Sequence, residues 1–276
     1  MTINCKGRLI DLSTPKVMGI LNVTPDSFFD GGVYTNKENI YKRILSMIDE
    51  GADIIDIGAV STRPNSDFPN EQEEWNRLLP ALEVIKRDFP NFCFSLDTFR
   101  STIAQKAVEQ YGIAIINDIS AGNLDNNMFA TIKKLQVPYI IMHMQGTPKT
   151  MQINPTYNNV TSDIIKFFSE KISKLYELGV NDIIIDPGFG FGKTIEHNYT
   201  LLRHLDHFKI LDHPILVGVS RKSMIYKTLN ITPTEALNGT TVLHTISLLK
   251  GANILRVHDV KEAKEVIKLV EIVNIV

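Results

Sequence analysis

The sequence predicts a (β/α)8 TIM barrel, read as a single domain over residues 1–276 with 1–14 as a short N-terminal hairpin. Short apolar, β-branched runs recur along the whole chain, and longer segments of helical periodicity separate them. That alternation is the pattern of a parallel sheet with crossover helices. Nearly every run also finishes in a polar residue, where a strand buried on both faces should stay apolar. Eight strand-helix pairs in about 250 residues fit the barrel, with a doubly wound open sheet as the structural alternative.

The eight runs are Val17 to Asn22, Asp53 to Ala59, Phe92 to Asp97, Ile113 to Asn117, Pro138 to His143, Asp182 to Asp186, Pro214 to Ser220 and Asn253 to His258. Helices are expected over Lys37 to Glu50, Glu71 to Phe89, Ser101 to Tyr111, Asn126 to Leu135, Val160 to Leu178, Glu196 to Leu205, Thr234 to Leu249 and Val260 to Ile275. The first dozen residues fall outside this repeat and are expected to close the barrel bottom. No linker, low-complexity tract or charge block interrupts the pattern.

In a barrel the C-terminal strand ends share one mouth, where active sites of this fold sit. Each polar strand end taken singly reads as a cap or a solvated loop residue; together they point to a site. Strands three and six contribute the carboxylates Asp97 and Asp186, whereas strands seven and eight contribute the cations Arg221, Lys222 and Arg256 together with His258. Strands seven and eight form the usual phosphate side of such a barrel. A ligand with a donor-rich polar ring at one end and a phosphate or diphosphate at the other would satisfy both halves.

The segment 186–194, DPGFGFGKT, resembles a phosphate cradle but fails both standard spacings: Pro187 stands where a Walker A loop needs Gly, and Lys193 where a dinucleotide fingerprint needs Gly. The physical reading is a strand end carrying Asp186, then a glycine loop that lets backbone and Phe191 approach a flat ligand. Residues 22–32 and 61–65, with Gly or Pro hinges, are candidate lids or solvated connections. His204 and His207 lack a third metal ligand nearby, and no serine elbow, His-Glu-x-x-His pair or Cys-His couple is present. Covalent Ser or Cys hydrolysis is disfavoured.

Of the 276 residues, 43% are hydrophobic and 22% charged, enough to bury a full core, so disorder is excluded. A formal charge of -2 provides no global field for nucleic acid or an acidic membrane. Cys5 and Cys93, without C-x-x-C spacing, read as reduced thiols. The polar N-terminus and the absence of a long apolar run speak against secretion and membrane insertion, so a cytoplasmic location is expected.

Seven motifs together carry a family resemblance: NVTPDSFFDGG at 22–32, STRP at 61–64, NDI at 117–119, MHMQGTPKTMQ at 142–152, DPGFGFGK at 186–193, GVSRKSM at 218–224 and RVHDV at 256–260. In this order they resemble dihydropteroate synthase along the whole chain. The resemblance implies a transferase of folate biosynthesis, a sulfonamide target, on a TIM barrel. It implies condensation of 6-hydroxymethyl-7,8-dihydropterin diphosphate with 4-aminobenzoate to give 7,8-dihydropteroate and diphosphate, with Mg²⁺ as cofactor and a homodimer as the assembly. Asp97, Asn117, Asp186, Lys222, Met142 and Phe191 would hold the pterin. Asn22, Thr62, Arg63, Arg256 and His258 would take the diphosphate, with Asn22 on the metal, and Thr62, Arg63, Phe28, Pro64, Phe191 and Ser223 the 4-aminobenzoate. Asp97, Lys222, Arg256 and His258 are the implied catalytic group.

The sequence departs from the common family pattern at Phe29, at Val60 and Asn65 flanking the STRP stretch, and at Phe99. Those departures bear on loop packing and on the aminobenzoate pocket. Two other readings stand beside this one. A methyltransferase barrel passing a methyl group from a reduced folate needs no diphosphate site, against which Arg256, His258 and the first-loop motif argue. A catalytically idle pterin-binding subunit is opposed by the intact set from Asn22 to His258.

Overall fold

The computed structural model describes residues 1–24, 32–60, 69–147, 150–151 and 153–274. Eight parallel strands form the barrel: β3 (Lys16–Asn22), β4 (Ile54–Gly58), β5 (Phe94–Asp97), β6 (Ile115–Asp118), β7 (Tyr139–Met142), β8 (Ile183–Asp186), β9 (Leu216–Val217) and β10 (Ile254–Val257). Their order around the sheet is β8-β7-β6-β5-β4-β3-β10-β9. Ile185 closes the gap between β8 and the seventh strand by donating its N–H to Pro214 O at 2.9 Å and bridging to Ile215.

The strand interiors explain why the barrel is filled below and chemical above. Side chains alternate inward and outward along a strand, and at the lower level Met18, Ile54, Ile115, Ile140, Ile184, Leu216 and Ile254 form one buried apolar cluster. The antiparallel hairpin of β1 (Thr2–Cys5) and β2 (Arg8–Asp11) adds Ile3 and Cys5 to that cluster, joined by Leu12 just beyond it. The hairpin therefore plugs the bottom, as expected. One step of the alternation higher, the inward positions of β4, β5, β6, β8 and β10 become Asp56, Ser95, Asn117, Asp186 and Arg256. The outward residues Ile55, Leu96, Ile116, Ile141, Ile185, Val217 and Leu255 pack under the helices in the main core.

The helices are α1 (Gly32–Asp49), α2 (Glu71–Asp88), α3 (Ser101–Tyr111), α4 (Met128–Leu135), α5 (Val160–Glu177), α6 (Ile195–Arg203), α7 (Ser223–Leu229), α8 (Leu237–Leu249) and α9 (Val260–Asn274). Side-chain caps set several starts: Asn70 accepts from Glu73 N, Asn159 from Thr161 N and Ser162 N, and Thr194 from His197 N. The first helix starts at Gly32 rather than Lys37, and the region after strand seven also differs from the sequence expectation. Strand seven ends at Val217 because the chain then turns, with Arg221 at φ 54° and Lys222 N bonded to Val219 O at 3.1 Å. The turn releases Ser223 into the short α7, a helix that the periodicity reading treats as loop. The Pro233–Glu235 turn, a 3-10 segment closed by a Thr232–Glu235 capping box, delays the next helix to Leu237.

Candidate active site

The upper inward positions and the loops that follow them converge on the mouth. Arg256, inward on β10, donates Nε to Asp56 Oδ2 at 2.7 Å and Nη2 to Asp97 Oδ2 at 3.1 Å. Asn117 on β6 donates Nδ2 to the same Asp56 oxygen at 2.9 Å. Four strands are thus joined through one guanidinium, two carboxylates and one amide. Burial works against the Arg256 charge, but Asp56 and Asp97 outweigh it and hold its pKa above the usual guanidinium range. Burial pushes Asp97 up to about 7, opposed by Arg256 and reinforced by Asp56, Asp118 and Asp186.

Asp186 and Lys222 form the second half of the mouth. Asp186 Oδ1 accepts Gly188 N at 2.8 Å, and burial raises its pKa while Lys222 opposes the rise. Lys222 donates to Phe189 O, its ammonium stands 4.8 Å from the Phe191 ring centroid, and burial lowers its pKa to about 8. A Cβ at Gly218 would lie 3.9 Å from both Lys222 Nζ and Arg256 Cβ, so the chain just past strand seven runs beside both residues without a side chain of its own.

The glycine loop is built to hold this geometry rather than to bind phosphate. At φ +71° Gly188 crosses the His143 carbonyl so closely that any Cβ would collide with it. Buried Lys193 donates Nζ to Gly188 O at 2.8 Å, to Phe191 O at 3.0 Å and to His143 O at 3.4 Å, with His143 Nδ1 at 3.1 Å. Burial holds its pKa well below the usual lysine range, and its Nζ is taken up by its own loop and by His143, consistent with both failed phosphate-loop spacings.

Other predicted residues fall at the same rim. Asn22 is exposed at the end of β3, and Ser223 is half-buried at the first position of α7. Met142 packs with Phe99 and Ile119, and Phe191 borders that cluster. Phe99, one of the departures from the family pattern, therefore packs beside Met142 and Phe191, on the side assigned to the pterin rather than only near the aminobenzoate pocket. Val60 is buried beyond the end of β4. Phe28, Thr62, Arg63 and Pro64, with Phe29 and Asn65, lie outside the described residues.

One charge needs correction. Arg221, grouped with the phosphate-side cations, is spent on Asp259 through bonds of 2.9 and 2.8 Å and on the carbonyls of Pro233 and Thr234. Its left-handed backbone turns it away from that duty. His258 is exposed, yet desolvation and then the Arg256 charge lower its pKa to about 4. At neutral pH it is an uncharged imidazole, held 3.0 Å from Ser220 Oγ through Nδ1.

Sequence reasoning overlooked Asp56. The signal was present in the alternation: within Asp53-Ile-Ile-Asp-Ile-Gly-Ala, a carboxylate occupies an inward position of an otherwise apolar strand and is fully buried. A buried charge requires partners, and the partners come from β6 and β10, far away in sequence.

The pterin binding enzyme family matches residues 18–258 of the chain. The dihydropteroate synthase of Haemophilus influenzae is 41% identical over 271 residues, covering 98% of each chain, and that of Escherichia coli K12 is 42% identical over 273 residues, covering 98% of this chain and 96% of its own. The chain belongs to the dihydropteroate synthase family. Among solved structures, the Yersinia pestis dihydropteroate synthase with a sulfonamide drug complex superposes with a TM-score of 0.93 at 40% identity over 100% of both chains. The Xanthomonas albilineans dihydropteroate synthase with 4-aminobenzoic acid gives 0.91 at 35% identity over 100% of this chain and 98% of the other. The protein is accordingly a transferase of folate biosynthesis. No helix among the described residues is long and apolar enough to cross a membrane.

Proposed function

We propose that this dihydropteroate synthase binds 6-hydroxymethyl-7,8-dihydropterin diphosphate with its ring across Asp97, Asn117, Asp186 and Lys222, between Met142 and Phe191. The diphosphate then lies toward Arg256 and His258, with Asn22, Thr62 and Arg63 completing its site. The supporting observation is the Arg256 guanidinium, which gathers Asp56 and Asp97 beside Asn117 at the mouth. A pterin's amino-pyrimidine edge presents adjacent N–H donors, which suit the Asp186 carboxylate, and its carbonyl and ring nitrogen suit the Lys222 ammonium.

In this reading the C–O bond to diphosphate breaks heterolytically, the electron pair leaving with the anion. The nitrogen lone pair of 4-aminobenzoate then forms the new C–N bond, and the amine proton is released. No residue serves as a covalent nucleophile. Arg256 stabilises the departing negative charge, His258 offers it a neutral hydrogen-bond donor, and Asp97 offsets positive charge developing on the ring. Because Asp97 titrates near neutrality, a cationic ring draws it into the ionised form. Phe28, Pro64, Phe191 and Ser223, with Thr62 and Arg63, would line the second pocket.

A magnesium ion fits this donor set. No group of three His, Cys, Asp or Glu among the described residues could cage a metal, but Mg²⁺ is commonly held by one or two protein oxygens plus substrate phosphates. The Asn22 amide oxygen, exposed at the end of β3, would be that protein ligand. When bound, the ion supplies charge neutralisation at the diphosphate.

We further propose a cytoplasmic homodimer. On α9 the residues Val266, Ile267 and Val270 are buried, but Leu269, Ile272 and Val273 are 65%, 60% and 69% exposed. Val242 and Leu249 on neighbouring α8 are also exposed, which leaves an apolar surface suited to a second copy. Diphosphate release that requires both Mg²⁺ and 4-aminobenzoate tests the activity directly. A methyltransferase barrel or an idle pterin-binding subunit would release none.

A further inference from the structure

We infer that Asp56 is the positioning residue of the pterin site, aligning Asn117 and Arg256 for ring and diphosphate at once. The inference rests on the proposed pterin reading of this mouth. Asp56 is fully buried at the inward, middle position of β4, below the rim where substrate residues are expected. One of its oxygens, Oδ2, takes Arg256 Nε and Asn117 Nδ2 together.

Each of those bonds removes a freedom that the reaction cannot tolerate. An amide side chain can present either its oxygen or its nitrogen. With one Nδ2 hydrogen spent on Asp56, Asn117 keeps its carbonyl oxygen and its second N–H for a ring edge that offers both donor and acceptor. Arg256, tethered to Asp56 through Nε, presents Nη2 to Asp97. Asp56 also balances the buried guanidinium, so that Asp97 need not be fully committed to Arg256 and remains available to the ring. The other oxygen, Oδ1, is buried and finds no hydrogen-bond partner among the described residues.

The test uses the full-length protein, with wild type first shown to release diphosphate from the pterin substrate in the presence of 4-aminobenzoate. In Asp56→Asn and Asp56→Ala, kcat/KM for pterin diphosphate is expected to fall at least thirtyfold, while KM for 4-aminobenzoate at saturating pterin substrate stays within threefold. In an Asp56→Asn/Asn117→Ala double variant the losses should be clearly less than additive, since both act through one contact. A wild-type crystal structure with 6-hydroxymethylpterin serves where a variant does not fold, and it should retain both bonds to Asp56. Folded variants with unchanged pterin kinetics, fully additive losses, or release of Asn117 or Arg256 from Asp56 in the pterin complex would each overturn the inference. An inactive wild type would instead overturn the activity on which it rests.

Discussion

The Lys222 ammonium sits 4.8 Å from the Phe191 ring centroid while donating to the Phe189 carbonyl, so the glycine loop and the loop after strand seven are locked to each other across the mouth. Aromatic face, cation and the Asp186 carboxylate thereby come to one side of the barrel from segments more than thirty residues apart. The site's behaviour under mutation and pH follows from that arrangement.

Asp186 ends β8 with one oxygen engaged by the Gly188 N–H. Replacing it with Ala should leave ring donors unpaired and cost about 1 to 3 kcal/mol of pterin binding, or more if the charge contributes. Calorimetry on the folded Asp186→Ala protein checks this; unchanged pterin affinity would displace the ring from the position proposed.

The pH dependence of kcat/KM for the pterin substrate should be a narrow bell. Asp97, raised to about 7, becomes protonated and loses its charge as pH falls through that value. Lys222, lowered to about 8, becomes neutral as pH rises through it. Activity needs the ionised carboxylate and the protonated amine, so both limbs fall away from the interval between them. A rate flat from pH 6 to pH 9 would contradict these roles. In Lys222→Arg the alkaline limb should disappear, whatever activity remains, because a guanidinium stays charged there.

Lys193 should prove structural. Its Nζ donates to the carbonyls of Gly188, Phe191 and His143 in a buried position. Lys193→Met would strand several buried acceptors, and chemical denaturation should show a loss of about 3 kcal/mol or more. Wild-type stability in the variant would mean that the loop holds its shape without the lysine.

For the dimer, introducing charge at the exposed face of α9 should separate the copies without disturbing the core beneath. Leu269→Glu and Ile272→Glu are expected to sediment as folded monomers at concentrations where wild type is dimeric. A monomeric wild type at micromolar concentration removes the proposal.

Binding should be ordered. On the proposed reading, Mg²⁺ and diphosphate bound at Asn22, Arg256 and His258 would complete the site that 4-aminobenzoate then enters. Titration of 4-aminobenzoate should show much tighter binding to enzyme preloaded with Mg²⁺ and diphosphate than to free enzyme. Equal affinities would rule the order out.

The sequence by itself determined the barrel, because period-two and period-3.6 patterns are local and the polar strand ends announce their shared mouth whatever their partners. Asp97, Asn117, Asp186, Lys222 and Arg256 were legible for that reason. Tertiary structure alone decided which of those charges remain available. Arg221 and Lys222 are adjacent in sequence and look equivalent, yet a left-handed turn sends Arg221 to Asp259 and leaves Lys222 over Phe191. Likewise the charge state of His258 is set by desolvation and the neighbouring Arg256, which hold it below the ordinary imidazole range. Asp56 escaped notice because its meaning lies in Asn117 and Arg256, 61 and 200 residues away. Periodicity records which face a residue occupies; only closure of the sheet into a barrel brings the far strands near enough for their charges to choose partners.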